Sequence, residues 1–152
     1  YAGQLNQVFM NILSNAIDAL EQQENEDSSL NSSESREFCP CLMPQIAIRT
    51  AVVSLPSRAE TRLQEEQHCS RFVEIRIADN GPGIPEAAQD RLFDPFFTTK
   101  PVGKGTGLGL SISYNIVTEK HNGRFSFVSQ RGRGTEFAIA IPLEQSTLVE
   151  TR

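Results

Sequence analysis

Gly103-Lys104-Gly105-Thr106-Gly107-Leu108-Gly109-Leu110-Ser111 is the most informative stretch of this 152-residue chain. Glycines at alternate positions expose successive backbone N–H groups. The apolar pattern that follows, Leu108–His121, is helical until Asn122-Gly123 stops it. Amides of this kind running into a helix N-terminus make a cradle for phosphates, and Lys100 and Lys104 bring positive charge to it. A Walker A loop would need GxxxxGK[ST], but the glycine–lysine pair here is followed by Gly105. A dinucleotide fingerprint needs a strand directly before the loop, whereas Phe96-Phe97-Thr98-Thr99-Lys100-Pro101 precedes it. A flexible linker fits poorly too, because phenylalanines and leucines flank the glycines.

Upstream, Phe93-Asp94-Pro95-Phe96-Phe97 forms a hydrophobic base for that loop or a patch of core. Earlier still, Phe72–Asp79 alternates, which puts Val73, Ile75, Ile77 and Asp79 on one inward face. A buried carboxylate is costly without a partner, so Asp79 either caps the turn that follows or accepts from an exocyclic amine such as that of adenine. The turn itself, Gly81-Pro82-Gly83-Ile84-Pro85, has glycines that let the backbone approach a flat ring. Downstream, Thr135 shares a strand face with Phe137, Ile139 and Ile141, setting a hydroxyl at the edge of an apolar row.

The first helix, over 4–20, buries Leu5, Val8, Phe9, Ile12, Leu13, Ala16, Ile17 and Leu20 on one face. Beside it run Asn11, Asn15 and Asp18, at spacings that share a second face. This is either a solvated face or a set of hard oxygen ligands suited to Mg²⁺ alongside phosphates. Further strands are read at Gln45–Val53, Arg124–Ser129 and Thr135–Pro142, and a short helix within Pro85–Phe93. The order predicts an α/β (α+β) two-layer sandwich of one mixed β-sheet and about three helices, as a single domain over 1–152. Polar segments at 21–44 and 54–71 read as mobile insertions. With no room for a start signal before Gln4, the chain reads as a domain cut from a longer parent.

Composition bounds the chemistry. Fourteen Lys+Arg against nineteen Asp+Glu give a net charge of −5, the wrong balance for holding nucleic acid through phosphates. No apolar run approaches the roughly 20 residues of a membrane span, so direct membrane contact is not expected. Three cysteines suit a reducing, cytoplasmic setting. Cys39, Cys41, His68 and Cys69 match no usual zinc spacing, and His121 reads as a partner of a helix C-terminus.

Taken in order, Asn11-Ile-Leu-Ser-Asn15-Ala-Ile-Asp18, Asp79-Asn-Gly81-Pro-Gly83-Ile84, Phe93-Asp-Pro-Phe96-Phe97 and Gly105-Thr-Gly107-Leu-Gly109-Leu110 strongly resemble the N, G1, F and G2 boxes of the sensor histidine kinase catalytic and ATP-binding domain. Gly132–Pro142 also resembles that family's closing strand. The resemblance covers 4–20 and 73–143, and implies a Bergerat-type ATP-binding fold with ATP and Mg²⁺ as cofactors. It implies that Asn15 coordinates the metal and that Asn11 contacts phosphate or a metal-bound water. Asp79 would accept from the adenine amine, supported by Thr135, with Gly81, Gly83, Ile84 and Phe93 around the base. Phe97–Gly107 would be a mobile lid. Gly105, Thr106, Gly107, Leu108, Gly109 and Leu110 would hold phosphates that Lys100 and Lys104 neutralise. Asp18 stands where these kinases frequently have Lys, and is expected to orient a water or touch the ribose edge.

The same fold serves DNA gyrase B, MutL and chaperone ATPases, where a water-activating Glu stands four residues before the metal-binding Asn. Here that residue is Asn11, and an amide cannot act as a general base. The resemblance therefore implies phosphotransfer to a histidine on a separate dimerisation and phosphoacceptor domain of the parent chain, with a response regulator downstream. No acceptor motif surrounds His68 or His121. The rival readings are an ATP-hydrolysing conformational switch and a degenerate docking module. The isolated domain is expected to be monomeric, whether or not its parent is anchored in a membrane.

Overall fold

The structure, a computed structural model, describes residues 2–30, 43–56, 69–101, 103 and 105–143. Helix α1 (Ala2–Leu30) leads. Val8, Ile12, Ala16 and Leu20 recur every four residues along its buried stripe, with Val8 and Ile12 wholly enclosed. Strands β1 (Ile46–Pro56) and β2 (Cys69–Asp79) follow, then α2 (Glu86–Gln89) and α3 (Gly109–Asn115). Helix α3 runs on as a π-helical turn, Ile116–Lys120, before β3 (Arg124–Gln130) and β4 (Gly134–Pro142).

The four strands lie in the order β1-β2-β4-β3, and every neighbouring pair is antiparallel. The two-layer α+β arrangement is the expected one, with the sheet antiparallel rather than mixed among the described residues. The reason is topological: β2 and β3 run parallel to each other, but β4 lies between them and is antiparallel to both. Alternation along β2 does what parity demanded. Ile77 faces Phe137 and Ile75 faces Ile139, and these pack with Val8, Ile12, Val117 and Phe125 into the core. Burying each such side chain contributes about 1.5–3 kcal/mol. On the other face Arg76 bridges Glu74 (2.7 Å) and Glu136 (2.6 Å).

Two boundaries differ from expectation. Helix α1 continues through Leu30, into the segment expected as the first insertion, because Glu and Gln are good helix formers even where no apolar periodicity marks the helix. The β1–β2 ladder reaches Pro56 opposite Cys69, so it also takes up both ends of the second segment. Residues 31–42 and 57–68, with Cys39, Cys41 and His68, lie outside the described residues.

Candidate functional site

The last residue of β2 is Asp79, and the ladder sets it directly opposite Thr135 at the start of β4. Its Oδ1 accepts the N–H of Gly81 (2.9 Å) and of Thr135 (3.3 Å), which leaves Oδ2 for a ligand donor. Burial pushes this carboxyl above its ordinary pKa, while the two backbone donors pull it back. The turn after it is docked, not free: Gly132 N–H donates to Pro82 O (2.7 Å). Gly83 takes φ 73°, and a Cβ there would stand 2.3 Å from Gln130 O. Contact with the β3–β4 hairpin is therefore itself enough to require glycine here. Ile84 is partly buried against the core, and its N–H donates to Ser129 Oγ (2.8 Å).

The other end of the site is built by α1 and the loop before α3. Lys100 Nζ donates to Asn15 Oδ1 (2.8 Å) and pairs with Asp18 Oδ2 (2.5 Å). Two hard oxygens one helical turn apart thus converge on a single positive charge. That donor chemistry suits a small divalent cation as well as an ammonium. Asp18, expected to orient a water or touch the ribose edge, is here the anion that pairs with Lys100. Asn11 uses its amide Nδ2 on Gly109 O (3.0 Å) and Ser113 Oγ (3.0 Å), tying α1 to the first turn of α3. Only its Oδ1 remains for a ligand.

Between these ends, Gly107 takes φ 68° and Phe96 φ 66°, and Phe96 N–H donates to Gly107 O (2.9 Å). The segment expected as a lid is therefore pinned where it begins and ends. Phe93 sits at the base, its ring 5.0 Å from Tyr114, 5.3 Å from Phe125 and 5.7 Å from Phe127. Phe96, by contrast, is 75% exposed, so the phenylalanine cluster divides between core and surface. Leu110 packs on the core, which leaves the backbone of Gly105–Leu110 as the part able to meet phosphate. Thr106 is exposed, and Lys104 lies outside the described residues.

Sequence reasoning missed three residues. Ser113 is fully enclosed and anchors Asn11. Asn80 clamps the start of β1, accepting from Gln45 N–H and donating to Met43 O (both 2.8 Å). Ser129 touches both Ile84 and Thr135. Strand parity signalled the last, since Ser129 shares a face with Phe125 and Phe127.

The sequence profile of the family described as histidine kinase-, DNA gyrase B- and HSP90-like ATPase matches residues 2–145. The chain belongs to that family. Within it, this is a sensor histidine kinase ATP-binding domain. Sensor kinase CckA of Brucella abortus is 35% identical over 92% of this domain and 12% of its own length. The sensory histidine kinase/phosphatase NtrB of Vibrio alginolyticus is 35% identical over 93% of the domain and 33% of itself. Among solved structures, the nucleotide-free catalytic domain of the histidine kinase ThkA superposes with a TM-score of 0.53 at 27% identity, covering 93% of this domain and 69% of that chain. The domain spans between about a tenth and a third of the length of these curated relatives. Among the described residues no helix is long and apolar enough to cross a membrane.

Proposed function

We propose that this domain binds Mg-ATP and donates the γ-phosphate to a histidine on a separate dimerisation and phosphoacceptor domain of a longer, cytoplasmically exposed sensor chain, with a response regulator as the eventual recipient. The observation that carries the proposal is the convergence of Asn15 and Asp18 on the Lys100 ammonium beside the glycine loop. Asn15, with Asp18 beside it, would hold Mg²⁺, which supplies charge neutralisation at the phosphates. Lys100 then leaves that site for the phosphate oxygens, carrying the lid with it. The amides of Gly105–Leu110 orient the triphosphate, and Asp79 Oδ2 accepts from the adenine amine. Catalysis on this account is positioning and electrostatics.

Asn11 favours phosphotransfer over hydrolysis. Its amide has no basic pKa and its N–H groups are held by Gly109 and Ser113, so it cannot activate water. The test is calorimetric titration with a non-hydrolysable ATP analogue and Mg²⁺, followed by addition of the parent's acceptor domain to look for phosphohistidine. A folded domain that binds no nucleotide would sink the proposal and leave a docking module. Multiple turnover of ATP by the domain alone would point instead to a hydrolysing switch.

A further inference from the structure

Three features of the loop seat Lys100. Its backbone N–H donates to Thr98 Oγ1 (3.1 Å), which ties down the residue's own main chain. A Cβ on Gly105 would stand 2.7 Å from Thr98 Oγ1, 3.2 Å from Lys100 Cδ and 3.3 Å from Lys100 Cβ, so the bare backbone of Gly105 lines the lysine stem. At the tip, Nζ meets Asn15 Oδ1 (2.8 Å) and Asp18 Oδ2 (2.5 Å). An ammonium has three protons but a single charge. While that charge sits on α1 it is withheld from any phosphate at the glycine loop. The Lys100 and Asp18 side chains are 29% and 44% exposed, so the pair is wet enough to open.

A triphosphate that arrives without a metal must draw Lys100 away from Asp18. The carboxylate then loses its counter-charge close to an incoming polyanion, and binding carries the cost of both the broken pair and the like-charge repulsion. A metal complex of the same nucleotide brings a hard dication, to which the Asn15 and Asp18 oxygens are suited. Those oxygens then keep a positive charge, and Lys100 is free for phosphate. We infer that Lys100 and Asp18 form a cation-exchange latch: it makes the domain discriminate against metal-free nucleotide, and Asp18 is the residue that sets the discrimination. The inference rests on the Mg-ATP reading above and adds to it a selection between two forms of the nucleotide.

The experiment has two arms. In the first, hydrogen–deuterium exchange is followed by mass spectrometry in the nucleotide-free domain. Asp18→Asn should speed exchange of the amides between Phe97 and Gly107 several-fold, with the core unchanged. Unchanged protection there overturns the inference, whatever the affinities. In the second, calorimetry measures a non-hydrolysable ATP analogue in the presence of a chelator. Asp18→Asn should tighten this metal-free binding about tenfold. In a Lys100→Met background, where only the repulsion remains to be relieved, the same substitution should gain about twofold or less. Equal gains in the two backgrounds would show a general charge effect and overturn the latch, as would no gain in the first. A folded wild type that binds the analogue neither with Mg²⁺ nor without it defeats the Mg-ATP reading itself. That result is distinct from equal gains or unchanged exchange in a domain that does bind Mg-nucleotide.

Discussion

Asp79 shows how much one side chain can determine. Its Oδ1 is held by two backbone donors, so in Asp79→Asn the amide oxygen must take that position and the NH₂ must face the ligand. A donor would then meet the adenine amine. ATP affinity is expected to fall by about a hundredfold, measured by titration, in a domain that remains folded. The pH dependence follows from the same group. Burial raises its folded pKa above the unfolded value, so its stabilising contribution is complete in acid and is lost as pH rises through the folded pKa. Denaturant unfolding should therefore show Asp79→Asn more stable than wild type near neutrality, with the advantage vanishing towards acid pH. ATP affinity in the wild type should move the other way, weakening as pH falls through that raised pKa, because only the carboxylate accepts. Strand parity made Asp79 legible from sequence alone. Asp18 was not legible in that way, because its partner Lys100 is distant in the chain and no local pattern announces the pairing.

At the scale of elements, the segment between Phe96 and Gly107 depends on its two ends. Both take left-handed backbone conformations, which a phenylalanine adopts only at a cost of about 1–3 kcal/mol. A Cβ on Gly107 would stand 2.4 Å from Phe96 C and 2.6 Å from its O. Gly107→Ala should break the Phe96–Gly107 hydrogen bond, speed amide exchange from Phe96 to Leu108, and weaken nucleotide binding by about tenfold, with little change in the core. Helix α1 illustrates a different limit of sequence reading. Its apolar stripe was visible through Leu20, but its extension to Leu30 carries no apolar periodicity in the sequence that could announce it. Helix α3 and its π-helical continuation together match the span read as one helix, α3 burying Ser111 and Ser113 and the π-helical turn burying Ile116 and Val117.

Around the site, three contacts among the described residues tie together elements that are distant in the chain. Lys100 reaches α1, Asn11 reaches α3, and the Gly81–Ile84 turn rests on the β3–β4 hairpin. The first is partly exposed and contributes on the order of 1 kcal/mol or less to global stability. Lys100→Ala should thus leave unfolding nearly unchanged. It should make the nucleotide-free loop markedly more open to limited proteolysis, and reduce ATP affinity through the lost phosphate contact. What sequence alone determined was the periodic part: the apolar stripe of α1, the inward face of β2, the ordered motifs and the family they resemble. Those follow from rules that act over a few residues, because helix and strand repeat at fixed intervals. Only the tertiary structure decided that β4 separates β2 from β3, that Gly83 is demanded by a hairpin, and that Lys100 stands between Asn15 and Asp18. Each depends on groups brought together across long loops, where contact is set by how the layers close and leaves no trace in local spacing.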